Sequence, residues 1–374
     1  MVDLRALLDD LRELVECESP SSDLAAVARS ADVVARVGAA RLGVEPERIV
    51  LDGRTHLRWR LGPGPTRVLL LGHHDTVWPL GSLATRPFSV VDGVLRGPGC
   101  FDMLAGVVMA FHAAASLPAP EGVTILLTGD EELGSPSSRG LIEDEARGAE
   151  AALVLEASAD GGALKVERKG VSLYEVLVHG RAAHAGLEPE LGVNATLELA
   201  HQALAVSDLG DPRVGTTVTP TVSAAGTTTN TVPAGGSFSV DVRVRTVAEQ
   251  DRVDAAMRAL RPVLAGATIE VVGGPNRPPL ERSASAALFE RAQRLGLVDL
   301  TAASVGGASD GNFTAGVGTP TLDGLGAVGG GAHAEDEHVL VDQLLPRTAL
   351  LAALVADLLV STTNHPEPTG AARP

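Results

Sequence analysis

The sequence predicts an α/β protein with a mostly parallel sheet, interrupted by a smaller α+β segment. Three observations carry that prediction. Short unbroken apolar runs at 67–72, 123–128 and 151–155 are separated by helix-like stretches, as when strands buried on both faces alternate with helices. From about Lys169 the texture changes to strict alternation at 171–178 and 236–244, the pattern of half-exposed antiparallel strands. Helical spacing resumes after Gly273-Gly274-Pro275-Asn276-Arg277-Pro278-Pro279, a composition that marks a linker. The chain therefore divides into a discontinuous main part, residues 1–168 and 277–374, and an insert, residues 169–276.

The elements follow in order. A first helix is expected over 3–16, where Leu4, Leu7, Leu8, Leu11, Leu14 and Val15 form one stripe, and the Ser/Pro/Asp cluster at 19–23 ends it. A second helix spans about 24–42. The strand at 67–72 is followed, after Gly97-Pro98-Gly99, by a helix over 105–114, and then by the strands at 123–128 and 151–155. Inside the insert, helices are expected at about 194–206 and 247–264. A closing helix runs over 342–361 on Leu344, Leu345, Leu350, Leu351, Leu354 and Leu358, and the Pro/Thr/Gly-rich residues after it read as a disordered tail.

Composition removes several function classes. With 30 Lys+Arg against 47 Asp+Glu, the net charge of −17 repels phosphate backbones and argues against nucleic acid and anionic membranes as partners. Aromatic residues make up only 2%, too few for a base-stacking platform. The start of the chain reads as an amphipathic helix and not as a signal peptide, and no stretch reaches the roughly 18 uninterrupted apolar residues of a membrane span. Two cysteines, Cys17 and Cys100, cannot build a disulfide framework. The expectation is a cytoplasmic protein.

Polar residues close each apolar run: His73 and Asp75, then Asp130, Glu131 and Glu132, then Glu156. In open α/β sheets ligands bind outside the carboxyl ends of the strands, so these clusters are expected to share one crevice. Imidazoles and carboxylates are the donors zinc takes, and a catalytic zinc keeps a position open for water. Asp75 lies on the same side of an extended chain as His73, where it can accept the other imidazole N–H. His74 points the other way and reads as a packing residue. Asp102 follows a glycine-rich turn and opens a helix, so an N-cap explains it as readily as a metal. Adjacent Glu131 and Glu132 repel unless a cation or proton compensates, the competing reading being a solvated acidic turn. His333 sits in the glycine-rich approach Gly329-Gly330-Gly331-Ala332-His333, with His338 as its rival.

Taken together, the segments Leu71-Gly72-His73-His74-Asp75-Thr76-Val77, Gly97-Pro98-Gly99-Cys100-Phe101-Asp102 and Thr128-Gly129-Asp130-Glu131-Glu132-Leu133-Gly134-Ser135 resemble the metal motifs of the M20 family of metallopeptidases and deacylases, and within it the glutamate carboxypeptidase branch. The resemblance covers nearly the whole chain. It implies a zinc-exopeptidase-like catalytic domain over 1–168 and 277–374, and an inserted ferredoxin-like lid/dimerisation domain over 169–276. It implies two Zn2+ ions, with Co2+ or Mn2+ as substitutes, bridged by Asp102. His73 and Glu156 would hold one ion, Glu132 and His333 the other. Glu131 would be the general base and Asp75 the residue orienting His73. In the insert, Gly180-Arg181-Ala182-Ala183-His184-Ala185-Gly186 resembles the segment whose histidine stabilises the oxyanion, in many relatives from the partner subunit. Asn230 and Arg243 match positions that hold the substrate carboxylate or transition state, a role that suits a guanidinium fork. The implied activity is hydrolysis of an amide or peptide bond next to a free carboxylate, on a small peptide or N-acyl amino acid, by a homodimer. Relatives usually carry Lys two residues after the bridging aspartate, where this chain has Leu104. That change supports one alternative of another class, a non-hydrolytic metal-dependent binder of a carboxylated ligand. A nucleotide-binding Rossmann enzyme is set aside, because no Gly-x-Gly-x-x-Gly joins an early strand to a helix.

Overall fold

A computed structural model describes residues 2–360. The expected tail and Ser361 lie outside the described residues. The chain forms two compact units. One comprises the residues up to Val166, then Arg282–Ser304, then the chain from Ser309 onward; the other comprises Glu167–Glu281 and Val305–Ala308.

The first unit is built on a six-stranded sheet in the order Glu47–Leu51, Arg54–Leu61, Val123–Thr128, Val68–His73, Ala151–Val154, Thr321–Leu322. Its centre is parallel, and Arg54–Leu61 joins antiparallel. The unbroken apolar runs have a direct cause: Val68 and Leu70 pack into a core shared with Leu7, Leu11, Phe111 and Leu351, while Leu69 and Leu71 pack on the opposite face with Ile142, Ala146 and Phe313. The first two helices begin where carboxylates satisfy free N–H groups. Asp3 caps Leu4–Val15 by accepting from Arg5, and Asp23 caps Leu24–Leu42 by accepting from Ala25 and Ala26, whose far end closes on left-handed Gly43.

Among the described residues, Val341–Val360 alone is long and apolar enough to cross a membrane. It packs instead into the core through Leu344, Leu350, Leu351, Leu354 and Leu358. Its Arg347 is buried and donates to the main-chain carbonyls of Gly162, Gly324 and Gly326, a set of partners that belongs to a protein interior.

Where the first two helices meet helix Ala105–Ala115, Asp10 is clasped by Arg41 through two bonds of 2.6 and 2.7 Å and lies 2.8 Å from His112 Nε2. Burial pushes the Asp10 carboxyl up, but bonds from His112 and Arg41 outweigh it and leave the pKa below its ordinary value. A depressed carboxylate pKa contributes stability above the unfolded pKa and loses it as pH falls through the folded one. Asp10→Asn is therefore expected to cost about 1–3 kcal/mol at neutral pH. Urea unfolding of the two proteins should show that gap closing below about pH 4.

The second unit is a four-stranded antiparallel sheet in the order Thr217–Ala225, Gly235–Val244, Gly170–His179, Thr268–Arg277. The chain runs strand, helix, strand, strand, helix, strand, with helices Ala195–Ser207 and Val247–Arg258, which is the ferredoxin-like split βαβ arrangement. Tyr174, Val176, Phe238, Val240, Val242, Val253 and Met257 form its core.

Three local features differ from the sequence reading. The hairpin Glu47–Leu51 with Arg54–Leu61 was not anticipated; its outward Arg58 and Arg60 pair with buried Glu145 of another element, a contact no local pattern encodes. Residues Gly273 to Arg277 are not a linker but the end of an edge strand, where a register shift between Pro275 and Arg277 accommodates the proline. Helix Val247–Arg258 stops short of the expected end, since Pro262 disfavours helical backbone in the residue before it.

Candidate metal centre

Parallel pairing places the first three motifs at one sheet edge. His73 ends Val68–His73 and lies in register with Thr128, the last residue of Val123–Thr128. Glu131 and Glu132 form the short turn just beyond it, and Glu156 follows Ala151–Val154. Asp102 arrives from the turn after Gly99, and the peptide bond to Met103 is cis. His333 arrives from the loop between the short paired strands Gly329–Gly330 and His338–Leu340. Its backbone is left-handed, as is that of Gly331, where a Cβ would stand 2.7 Å from the Glu337 nitrogen, so glycine is required at 331.

All five expected ligands come together. Asp102 lies between the two histidines: Oδ1 is 3.5 Å from His73 Nε2 and Oδ2 is 3.3 Å from His333 Nε2. Glu156 Oε1 is 3.7 Å from His73 Nε2, and Glu132 Oε2 is 3.1 Å from His333 Nε2. Two donor atoms each about 2.0–2.2 Å from one ion, at a tetrahedral angle, stand roughly 3.4 Å apart. The observed separations are those of ligands around a cation. His73 Nε2 is buried, makes no hydrogen bond, and faces only carboxylate oxygens. That donor set fits a metal ion. His73, Glu131 and Glu156 also offer ligand atoms within 4.8 Å of one another.

The electrostatics point the same way. Hydrogen bonds that the His333 ring donates to the Asp102 and Glu132 carboxylates raise its pKa to about 10 against the opposing effect of burial. Burial would depress His73, yet Asp102 and Asp75 raise it well above its ordinary value. Asp102 is desolvated, which opposes ionisation, but His333 and His73 hold it well below the usual carboxylate range. Without a metal, these carboxylates draw protons onto the imidazoles to supply the positive charge the cluster needs.

The remaining site residues fall in distinct places. His73 Nδ1 lies 2.9 Å from the Asp75 main-chain oxygen and 3.5 Å from its carboxylate. The Asp75 carboxylate also accepts from the Glu131 N–H at 3.2 Å and the Glu132 N–H at 3.3 Å. His74 is buried between Ser30 and the Thr55 carbonyl, and burial lowers its pKa to about 4. His338 takes part in a strand, with Nδ1 at 2.8 Å from the Asp336 carbonyl. Cys100 is buried, and burial pushes its thiol pKa far up, so it is no nucleophile. Leu104 is buried in the core.

In the second unit, His184 and Asn230 are neighbours. Ala185 N–H donates to the Asn230 carbonyl, and His184 pairs in register with Thr231. His184 Nδ1 accepts from Gly186 N–H at 3.1 Å, which leaves Nε2 to carry the proton of the neutral ring. Arg243 is held in a fork by Asp241, with two bonds of 2.8 Å. It sits far along strand Gly235–Val244 from the end next to Asn230, roughly 26 Å at about 3.3 Å per residue. The fold of one chain does not bring Arg243 together with His184 and Asn230.

Two acids that the sequence places in the strand-end cluster (Asp130) and in the glycine-rich segment 306–312, which resembles a substrate-pocket loop (Asp310), brace the turn instead. Asp130 accepts from the N–H and hydroxyl of both Ser137 and Ser138, and Asp310 accepts from Ser135 and Thr128. Between them they hold the turn that carries Glu131 and Glu132. For Asp130, the signal was its strand-end position followed by paired serines.

Comparison with known proteins gives the family and the fold. The model of Peptidase family M20/M25/M40 matches residues 69–357. Carboxypeptidase G2 of Pseudomonas sp. (strain RS-16) is 31% identical over 297 residues, covering 74% of this chain and 70% of that one. Succinyl-diaminopimelate desuccinylase of Rhodospirillum centenum is 28% identical over 292 residues, covering 70% and 72%. Among solved structures, aminopeptidase PepT from Bacillus cereus superposes with a TM-score of 0.70 at 21% identity, covering 96% of this chain and 99% of that one. The M20 family metallo-carboxypeptidase Sso-CP2 from Sulfolobus solfataricus gives 0.70 at 16% identity, covering 96% and 100%. Those two share the fold. With the family match spanning most of the chain and a relative above 30% identity, the protein belongs to peptidase family M20/M25/M40 and is a metallo-hydrolase.

Proposed function

We propose that this enzyme is a dizinc hydrolase that cuts an amide or peptide bond next to a free carboxylate, as a glutamate carboxypeptidase-like enzyme or an N-acyl amino acid amidohydrolase. The observation that carries the reading is the placement of Asp102, each oxygen facing a different histidine that has its own second carboxylate. Asp102, His73 and Glu156 would hold one ion, and Asp102, His333 and Glu132 the other; Co2+ or Mn2+ would stand in for Zn2+. Bound metal supplies Lewis acidity toward the scissile carbonyl and acidifies a water molecule. Glu131 takes the proton of the attacking water on its carboxylate and delivers it to the leaving nitrogen. Asp75 fixes His73 and the amides of Glu131 and Glu132. Arg243 holds the substrate carboxylate, its fork to Asp241 being the geometry such a group would take. His184, through Nε2–H, and Asn230 face the developing oxyanion. The relatives' names, a carboxypeptidase and a desuccinylase, both denote hydrolysis at a carboxylated substrate.

The test is a screen of peptidyl and N-acyl amino acids ending in Glu, Asp or aliphatic residues, with protein loaded with zinc or cobalt. Turnover that a chelator abolishes is expected. Stoichiometric binding with no turnover across the panel would overturn the reading in favour of a binding protein.

The second unit is proposed to form the homodimer. Thr217–Ala225 is an edge strand, and Leu197, Leu204 and Val222 near it are exposed by 55%, 69% and 74%. The distance along the strand between Arg243 and the His184–Asn230 pair also means that one small substrate does not touch both from the same chain. Mixing inactive His184→Ala and Glu131→Ala proteins is expected to restore activity toward about a quarter of wild type, from heterodimers with one complete site. A fully active monomer by sedimentation would exclude this arrangement.

A further inference from the structure

We infer that Glu337 is a positioning residue whose buried carboxylate holds the Asp102 turn in the one orientation that lets both Asp102 oxygens serve the metal pair. The inference rests on the reading of Asp102 as a bridging ligand. Glu337 is 3% exposed. One carboxylate oxygen accepts from the N–H of Phe101 at 2.9 Å and of Asp102 at 3.1 Å. The other accepts from the N–H of Gly99 at 2.9 Å and from the indole N–H of Trp78 at 2.6 Å. The turn needs such a partner. Gly99 is left-handed and Asp102 is extended, with φ −117° and ψ 94°, so successive amides converge on one point and form a concavity for an anion.

The same carboxylate reaches three ligand-bearing segments. Trp78 lies just beyond His73 and Asp75. Gly99, Phe101 and Asp102 are the turn itself. Glu337 closes the loop that carries His333, with its own N–H donating to the Ala334 carbonyl at 3.1 Å. Next to it, strand His338–Leu340 pairs with Val94–Arg96, the strand that leads into the turn. His333 and the turn of Asp102 are thereby fixed against one anchor, and the 3.3 Å approach of His333 Nε2 to Asp102 Oδ2 depends on it.

A carboxylate suits this place because all four groups bonded to it are donors, and these bonds oppose the burial that raises its pKa above the ordinary value. A glutamine keeps one acceptor oxygen and turns an NH2 group against two of the N–H donors. Glu337→Gln is expected to lower the zinc affinity of the metal-free protein about 10–100-fold, read by competition with a chromophoric chelator. The visible spectrum of the cobalt-loaded protein should change, and kcat at saturating metal should fall with little change in KM. Far-UV circular dichroism of the metal-free variant should match wild type. Asp102→Asn is the control. If it keeps wild-type zinc binding, the bridging reading fails; if it loses binding while Glu337→Gln keeps wild-type affinity and cobalt spectrum, the positioning inference alone is overturned. Should Glu337→Gln not fold, Glu337→Asp takes its place: the shorter side chain keeps the charge and must draw the turn toward it. A fall in zinc affinity supports the inference, and wild-type affinity in the folded variant overturns it.

Discussion

Glu131→Gln is expected to lower kcat/KM by about 10²–10⁴-fold while leaving the metal content unchanged. At about 1.36 kcal/mol per tenfold, that is a loss of roughly 2.7–5.4 kcal/mol of transition-state stabilisation. Glutamine preserves the shape and removes the proton acceptor, so a pure base assignment predicts loss of rate without loss of metal. The prediction discriminates because Glu131 also offers an oxygen within 4.8 Å of donor atoms of His73 and Glu156. Its main chain is held by Asp75 Oδ1 and that of Glu132 by Asp75 Oδ2, so one carboxylate sets where both side chains begin. Metal analysis of the purified variant, alongside steady-state kinetics, separates the roles. Loss of an ion would make Glu131 a ligand, and hydrolysis at the wild-type rate would remove it from the mechanism.

Much of this site was legible in the sequence because of one geometric fact. Parallel strands end at the same edge, so polar residues closing three apolar runs share a crevice, and the register of His73 with Thr128 is that rule made concrete. Local pattern could not reach further. Glu131 and Glu132 are adjacent and identical, and only the resemblance to a family separated base from ligand. Glu337 acts on residues 235 to 259 positions away, and its four bonds leave no periodicity to read. The hairpin at 47–61 and the strand end at Gly273 to Arg277 escaped for the same reason, since both are decided by a partner elsewhere in the chain. His184, Asn230 and Arg243 have a claim only through the resemblance, and one chain brings His184 next to Asn230 but leaves Arg243 at the far end of its strand.

Asp102→Asn is expected to be the most damaging change at the site, reducing bound zinc from two ions per chain to one or fewer and activity to background. Each Asp102 oxygen faces one imidazole, at 3.5 and 3.3 Å. An asparagine keeps one acceptor oxygen and replaces the other with an NH2 group, which carries no lone pair for a metal. Whichever way the amide turns, one ion loses a ligand and the bridge is broken. The buried His73 Nε2 has no hydrogen-bond partner to fall back on, so its side of the pair is the more exposed to the loss. Removing the negative charge also takes from His333 the largest cause of its raised pKa, which should fall in the metal-free protein. Titration of that imidazole by NMR gives a readout independent of turnover. The N-cap role its turn suggests is not what Asp102 has, since the helix starts at Ala105 with Leu104 at its N-cap, so two zinc ions retained with near-wild-type rate would mean that the two-metal reading is wrong.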